Sequence, residues 1–399
     1  MVTRALLADL KNNLSFTANC SREWQKEFAQ EGFKIGAQLM IRKTPKFVVQ
    51  SGPGFVAQDY IEEFVPLVVD QQKHVDVEFG SVEMTLSLDD WNRRIGAPTA
   101  IQLANEVDTA GLARYWEVAN SLLSPTDEAD KWYRYLQAAA FLDDEACPMD
   151  GQRYAVLDQW EEKAIVNANK GLFQSSTQIR NQYEEGTMGI SAGLKWSMDQ
   201  NVAVHLTGPR GGTPAVNAAG QTGASLVTNA WTSSAALRLR KGDVFTIAGV
   251  YAVNPKNRMS TGRLRRFTCT ADVSSDASGN ATIPLSPPIL IAPDPRQTVT
   301  AAPGAGALLA FLGDASTSYR QNIVAHRSAF TVAIVPLVMP SRGTAARASD
   351  PDLGVSLRVW RDSDVMTDSH PARTDVLFGW RAQRPEFAVR VWSVISDEL

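Results

Sequence analysis

The spacing with the clearest chemical meaning belongs to Gly189, Ser191 and Gly193, which match the G-x-S-x-G pattern of serine hydrolases. In those enzymes the serine lies on a sharp turn between a strand and a helix, and the turn exposes its hydroxyl group as a nucleophile. The segment after Gly193, LKWSMDQNVAV, has the pattern of extended structure, and no strong strand pattern precedes Ser191. The match therefore indicates a glycine-rich turn, with a serine hydrolase as the enzyme alternative.

The remaining reactive residues do not indicate a metal or cofactor site. Each histidine lacks a second histidine or a carboxylate three or four residues away in a predicted helix, and the cysteines fit neither a zinc spacing nor a disulfide framework. These residues are His74, His205, His326, His370, Cys20, Cys147 and Cys269. The glycines of segment 208–212 lack the Lys-Ser/Thr pair of a phosphate-binding loop. We predict no catalytic residue, no metal ligand and no cofactor.

The charge balance argues against tight nucleic-acid binding. The 39 lysines and arginines are outnumbered by 43 aspartates and glutamates, which leaves a formal net charge of −4. A protein that binds phosphates strongly carries a basic excess or a dense basic face. No stretch approaches the ~18 consecutive apolar residues of a membrane span, and segment 1–10 lacks the apolar core of a secretory signal. We expect no membrane contact, retention in the cytosol and only loose contact with DNA.

The densest basic cluster supports two interpretations. Its members are Lys256, Arg258, Arg263, Arg265 and Arg266. Charge along a solvated strand edge discourages stray pairing between sheets. Alternatively, the cluster makes an electrostatic contact between the subunits of an assembly, which would supply orientation and specificity. The local spacing leaves both interpretations open.

The first predicted element of the chain is a helix over 21–33, with Ser21 as its N-cap. The glycines and proline of Gly52-Pro53-Gly54 then predict a flexible tip that no regular element accommodates. Apolar residues alternate over 75–88, with a slip of one residue at Gly80-Ser81. A two-residue hairpin and a β-bulge both explain that slip.

Helical periodicity follows. Residues 98–124 have the pattern of one long helix, in which Gly111 is a weak point. Further helices are predicted at 126–142 and 160–170, on either side of a strand at 153–157.

Composition changes near residue 207, where Gly, Ala, Thr, Ser and Pro become frequent. Alternating strands separated by Gly or Pro turns indicate a small all-β module over 207–320. Its strands are predicted at 237–253, 264–273 and 281–291. The later elements are a strand at 330–338, a loop at 340–352, and strands at 355–360, 374–380 and 386–394. The fold class is therefore α+β, with a β module inserted into the second half.

The order of these elements resembles that of tailed-bacteriophage major capsid proteins with the Hong Kong 97-like fold. More narrowly, it resembles the podovirus coat-protein branch that carries an inserted β-barrel domain. The resemblance rests on VPLVVDQQKHVDVEFGSVEMTLSLDDW, AFLDDEACPMDGQRYAVLDQWEEKAI, NIVAHRSAFTVAIVPLVMP and TDVLFGWRAQRPEFAVRVW. The patch at 322–340 is the most specific, because it is similar to the family's return strand after the insertion.

The resemblance implies a division of the chain into the parts of a capsid subunit. An N-terminal arm and helix cover 1–41, an extended β loop 42–90, the peripheral-domain spine helix 91–125, the first part of the axial domain 126–206, the inserted β-barrel-like domain 207–320, the axial return 321–354, and the peripheral C-terminal strands 355–399.

The same resemblance implies a structural protein that self-assembles into the pentamers and hexamers of an icosahedral head enclosing double-stranded DNA. It implies assembly in the bacterial host cytoplasm, residence in the virion, and contact with a portal protein and with any decoration proteins. Since the N-terminus has no long removable helical segment, a separate scaffolding protein is expected. Candidate assembly contacts are Gly52, Pro53, Gly54, Phe55 and the basic residues at 256–266. An encapsulin-like compartment and a β-rich virion adhesion protein are the alternatives.

Overall fold

The computed structural model describes residues 6–10, 14–24, 38–49, 52–53, 55, 57, 61–80, 95–169, 189–350, 355–363 and 369–395. The chain forms two compact units. The first unit consists of Met1–Arg42, Phe64–Leu112 and Phe330–Gln383, and the second of Lys43–Glu63, Ala113–Ala329 and Arg384–Leu399. Each unit combines helices with a sheet, as the predicted α+β class requires. In the described part of the chain, no helix has the length and apolar character needed to cross a membrane.

Residues 6–10 are helical, and the further described helices are α1 (Phe16–Asn19), α2 (Ala97–Leu112), α3 (Glu128–Asp144) and α4 (Gln159–Asn169). The strands are β1 (Gln38–Arg42), β2 (Phe64–Val68), β3 (Gln71–Gly80), β4 (Ser121–Leu123), β5 (Arg153–Leu157), β6 (Ile190–Ser191), β7 (Leu194–Met198), β8 (Val204–Leu206), β9 (Gly212–Val216), β10 (Gly223–Trp231), β11 (Ala236–Leu239), β12 (Val244–Val253), β13 (Ser260–Cys269), β14 (Val273–Ser275), β15 (Ala281–Ile289), β16 (Leu309–Phe311), β17 (Ser318–His326), β18 (Phe330–Val335), β19 (Thr344–Asp350), β20 (Val355–Arg361), β21 (Ser369–Ala382) and β22 (Ala388–Val394).

The first unit is built around the long strand β21, which pairs antiparallel with β3, β18 and β20, while β19 forms an edge. Strands β1 and β2 form a separate antiparallel ribbon. Isolated two-stranded ribbons are marginally stable, and this ribbon buries Ile41 and Leu67 against Ala333 and Leu377 of the sheet strands. The carboxylate of Asp108 in α2 caps the N-terminus of the short helix α1. It accepts hydrogen bonds from the backbone amides of residues 15–17.

The sheet of the second unit has the order β4-β22-β17-β5-β7-β6, and β8 also pairs with β17. Strand β5 is buried at every residue. Helix α3 packs against helix α4, and Trp132 of α3 stacks on Trp196 of β7 at a centroid distance of 5.4 Å. The predicted strand at 153–157 coincides with β5, and the predicted helices at 126–142 and 160–170 correspond to α3 and α4 within two residues at each end.

Within the second unit, six strands form a closed barrel. Their order is β16-β12-β13-β15-β10-β9, and Ala215 of β9 bridges Leu308, which immediately precedes β16. The two edges of the sheet are thereby joined, so this barrel leaves no long open edge. Its interior is one apolar cluster that contains Trp231, Phe245 and Phe267. All of these residues lie in the segment where sequence composition predicts an all-β module.

The predicted helix at 98–124 is too long. Helix α2 ends at Leu112, a 3-10 turn covers Ala113–Glu117, and β4 follows. The backbone beyond the turn bonds to β22 instead: Ser124 donates to the carbonyl of Trp392 at 2.7 Å. Pairing with a strand distant in sequence therefore overrides the local helical pattern.

Three further predictions differ from the structure. The predicted loop at 340–352 contains β19, which pairs with β20 along its whole length as a hairpin. A turn splits the predicted strand at 237–253 into β11 and β12. The backbone of Ser21 bonds with Phe330 and Val332 as a β-bridge, and residues 23 and 24 form a turn, so Ser21 does not cap a helix in the described residues.

Other predictions fall outside the described residues or stay untested. Residues 25–33 of the predicted helix, and 81–88 beyond the slip at Gly80-Ser81, lie outside the described part. The boundary between the units falls at Ala329 and Phe330, inside the predicted axial return 321–354, and β22 joins the sheet of the second unit. The assignment of capsid domain names to these segments stays a prediction.

Candidate assembly surfaces

The extended segment between β1 and β2, residues 43–63, exposes large apolar side chains. Its ends are held together, because the amide of Lys43 donates to the carbonyl of Glu63 at 2.8 Å and their side chains lie 3.9 Å apart. Between these ends Phe47 is 60% exposed, and Val49 and Phe55 are each 94% exposed. Exposed apolar side chains of this size are candidates for an interaction site.

The predicted tip lies within this segment. Gly52 and Pro53 are exposed, and the φ of Gly52 is +98°, a left-handed conformation that favours glycine. Gly54 lies outside the described residues. Gly52, Pro53 and Phe55 are thus all exposed. The Gly-Pro turn that the sequence predicts and the exposed ring of Phe55 lie in the same short stretch of the chain.

The predicted basic cluster divides into two groups. Lys256 is exposed at the hairpin tip between β12 and β13. Arg258, also at this tip, turns its side chain onto a neighbouring loop and donates to the carbonyls of Pro295 at 2.7 Å and Asp294 at 3.4 Å.

The other group, in β13, faces the end of helix α3. Arg263 lies 3.1 Å from Asp144, Arg265 forms an ion pair with Glu145, and Arg263 and Arg266 each stack over Phe141 at 4.5 Å. Burial, and then the charges of Arg263 and Arg134, lowers the pKa of Arg266 to about 10.

These contacts attach the barrel to α3 within one chain. Arg265 is buried within the chain, and its contact with a neighbouring subunit stays a prediction. The exposed members of the predicted cluster are Lys256 at the hairpin tip and Arg263 in β13.

A buried polar network that sequence analysis did not identify joins the barrel to the sheet. Nε2 of His205 lies 2.9 Å from Asp243, and its Nδ1 lies 3.3 Å from the hydroxyl of Tyr115. Since a carboxylate only accepts, Nε2 carries the proton and Nδ1 accepts from Tyr115. Asp243 also accepts from the amides of Gly208 and Arg240. Burial lowers the pKa of His205, and the hydrogen bond to Asp243 opposes this effect.

Arg390 of β22 lies beside this network, over the ring of Tyr115, and is fully buried. Its guanidinium donates to Ser121, Gln321 and the carbonyl of Gly242 at 3.1–3.2 Å. All of these acceptors are neutral, and burial lowers the pKa of Arg390 to about 9. A sequence signal existed, because Arg390 interrupts the apolar strand AVRVW. Its partners could not be identified from spacing, since they come from three distant segments.

The G-x-S-x-G segment forms a hairpin. Ile190 pairs with Lys195, and Ser191 pairs with Leu194, on either side of a tight turn at Ala192 and Gly193. A nucleophile elbow requires a helix after the serine, whereas strand β7 follows here. The hydroxyl oxygen of Ser191 is buried and has no hydrogen-bond partner among the described residues. The geometry contradicts a nucleophile elbow at Ser191.

The molecule's geometry is thus a two-unit α+β chain with an inserted barrel, an apolar extended segment and an exposed basic hairpin. Comparison with known proteins gives its family. The family model described as "P22 coat protein - gene protein 5" matches residues 29–391.

The chain belongs to the P22 coat protein family.

A curated relative of this coat protein, the "Major capsid protein" of Acyrthosiphon pisum secondary endosymbiont phage 1, is 24% identical over 322 residues, which cover 76% of this chain and 75% of the relative. Among solved structures, the capsid of Ralstonia phage GP4 is 9% identical, with a TM-score of 0.49, and the match covers 96% of this chain and 89% of that one. A structure from Mycobacterium phage Che8 is 14% identical, with a TM-score of 0.47, and the match covers 95% of this chain and 90% of that one.

Membership in the coat protein family confirms the predicted resemblance to tailed-phage major capsid proteins and the predicted Hong Kong 97-like α+β fold. It also confirms the classification as a structural protein of the phage capsid.

Proposed function

We propose that this coat protein self-assembles into the pentamers and hexamers of an icosahedral tailed-phage head that encloses double-stranded DNA. The observation that carries the proposal is the exposed apolar segment 43–63 in a chain of this family. A folded monomer gains nothing from exposing Val49 and Phe55 almost completely, whereas a subunit can bury them against its neighbour.

The extended segment is proposed to lie across a neighbouring subunit, with its Gly52-Pro53 tip adapting to slightly different neighbours. Specific interfaces bury on the order of 1,200–2,000 Å², and a subunit in a closed shell makes several of them. Because each contact in a shell is held close by the others, weak interfaces together give a stable particle.

The barrel is proposed to have two roles. Arg263, Arg265 and Arg266 brace it against α3 inside the subunit. The exposed hairpin tip with Lys256 is proposed to contact subunits of neighbouring capsomers, where charge supplies orientation.

The capsid domain names are proposed in the same way. The first unit is the candidate peripheral domain, with α2 as its spine helix, and the second unit is the candidate axial domain with the inserted barrel.

The proposed partners are other copies of the chain, a separate scaffolding protein, a portal protein and decoration proteins. Packaged DNA is proposed to be contacted loosely, in agreement with the formal net charge of −4. Assembly is proposed to take place in the host cytoplasm, before the protein becomes part of the virion.

Negative-stain electron microscopy of the concentrated, purified chain tests assembly directly. Shells, tubes or curved hexagonal sheets are expected, with the candidate scaffolding protein added where the chain alone stays unassembled. Uniform small particles under both conditions would contradict the proposal.

Deletion of residues 50–56 tests the extended segment. We expect a folded, soluble chain that fails to close normal shells, because the deletion removes the exposed Phe55 and leaves the cores of both units intact. A matched control replaces the exposed Met149 by Ser, which removes apolar surface elsewhere. Normal particles from the deletion would exclude the proposed role of the segment.

A further inference from the structure

A loop of the barrel fixes the orientation of the Arg296 side chain. In the loop after β15, Asp294 accepts hydrogen bonds from the amide of Arg296 at 2.7 Å and from its Nε and Nη2 at 3.1 and 2.9 Å. This bidentate geometry fixes the direction of the guanidinium plane. The same bonds, despite partial burial, hold the pKa of Asp294 below its usual range.

The guanidinium so oriented reaches the end of the extended segment. Nη1 of Arg296 lies 3.4 Å from Oε1 of Glu63, and Glu63 is the residue whose backbone and side chain hold Lys43. Arg296 therefore contacts the point at which the two ends of segment 43–63 meet. A pre-oriented arginine loses less side-chain entropy on forming such a pair than a free one.

The opposite side of the loop is held by the hairpin tip. Arg258 donates to the backbone carbonyls of Asp294 and Pro295, so the loop lies between the tip and Glu63. Arg258 has a φ of +56°, a conformation that non-glycine residues adopt at some cost, and its amide donates to the carbonyl of Asn254 at 2.9 Å. A continuous set of contacts thus runs from Arg258 through Asp294 and Arg296 to Glu63.

We propose that Arg296 is a positioning residue that fixes the ends of the extended segment before assembly, and that Arg258 at the hairpin tip holds Arg296 in place. A subunit that engages the hairpin tip would thereby change how firmly the extended segment is held. This inference rests on the proposed function of the two surfaces as assembly contacts. It predicts a coupling between the surfaces that can be measured in the unassembled chain.

Hydrogen–deuterium exchange of the unassembled full-length chain tests the coupling. Arg296→Gln removes the ion pair with Glu63 and should speed exchange of the Lys43 amide and its neighbours by about two- to fivefold, as expected for a partly exposed pair. Glu63→Gln removes that pair together with the contact between Glu63 and Lys43, and should speed the same amides at least as much. The double variant should show no increase beyond that of Glu63→Gln. Arg258→Gln should speed the same amides, and exchange at Phe245 and Phe267 in the barrel core should keep the wild-type rate.

The matched control is Arg327→Gln, which replaces another exposed arginine of the second unit. Wild-type exchange at Lys43 in Arg296→Gln would overturn the role of Arg296, whatever Glu63→Gln shows, and wild-type exchange in Arg258→Gln would overturn the coupling. Failure of the wild-type chain to form shells would instead contradict the proposed function, so the two failures are distinguishable.

Discussion

Gly111 of helix α2 lies directly against the ring of Trp380 in β21. A Cβ atom at Gly111 would come within 2.8 Å of two atoms of that ring, and also within 2.8 Å of Phe16. The ring cannot move away easily, because its Nε1 donates to the carbonyl of Val107 at 3.0 Å and its face stacks on Phe16. The absence of a side chain at residue 111 is what allows the helix to approach the sheet.

Gly111→Ala should therefore destabilise the chain, although alanine is the better helix former by about 1 kcal/mol. Overpacking of this kind costs about 1–3 kcal/mol, so we expect a net loss measurable by urea unfolding monitored by circular dichroism. Gly304→Ala is the matched control, because a Cβ there meets no atom within 4 Å. Equal midpoints for the two variants would contradict the close contact.

Asp375 should be a second sensitive residue of the first unit. Its buried carboxylate lies 2.5 Å from Arg358 and 2.6 Å from Arg373. Asp375→Asn would leave the largely buried Arg358 without its ion pair, and breaking a buried pair costs about 3 kcal/mol. The control is Asp76→Asn, whose exposed carboxylate lies 3.8 Å from Arg373 and should contribute less than about 1 kcal/mol. Similar urea midpoints for both variants would exclude a stabilising role for the buried pair.

The stability of the second unit should fall on mild acidification because of His205. Its pKa is lower in the folded chain than in the unfolded chain, mainly through burial. The unfolded chain therefore binds the proton first as the pH falls through about 6.5, and the free energy of unfolding decreases until the lowered pKa is reached. One such group gives at most about 1.4 kcal/mol per pH unit.

His205→Gln should reduce the slope of the free energy of unfolding against pH, measured by denaturant unfolding at pH 7.5, 6.5 and 5.5. A glutamine amide can still donate to Asp243, so much of the packing should be retained. His74→Gln serves as the control, because His74 is exposed. If the free energy of unfolding depends on pH in His205→Gln as it does in the wild-type chain, groups other than His205 cause that dependence.

The two groups of the basic cluster should respond differently to the same substitution. Arg265→Gln leaves the mostly buried Glu145 without its ion pair and should lower the free energy of unfolding by about 3 kcal/mol. Lys256→Gln is a change on the exposed hairpin tip and should alter that energy by less than about 0.5 kcal/mol. Only Lys256→Gln should impair assembly while the chain stays fully stable, as seen by comparing urea midpoints with particle yields. Loss of stability in Lys256→Gln, with a fully stable Arg265→Gln that fails to assemble, would contradict both assigned roles.

Local patterns predicted several elements well, for a physical reason. The strand Arg153–Leu157 and the helices around it depend on side chains close together in sequence, whose spacing sets which face is buried. The segments of the barrel alternate in the same local way. Phe55, next to the predicted tip, is 94% exposed, and the role of Gly52, Pro53 and their neighbours as an assembly surface stays a prediction.

By itself, the sequence determined the α+β class, the all-β composition after residue 207 and the family, because these depend on composition and on the order of local patterns. Only the tertiary structure decided that α2 ends at Leu112, that Gly111 is a contact point, and that Arg265 and Arg390 are buried. Each of these depends on a partner far away along the chain, as Arg390 depends on Ser121 and Gly242. Burial and pairing at such separations are set by packing, which local spacing does not encode.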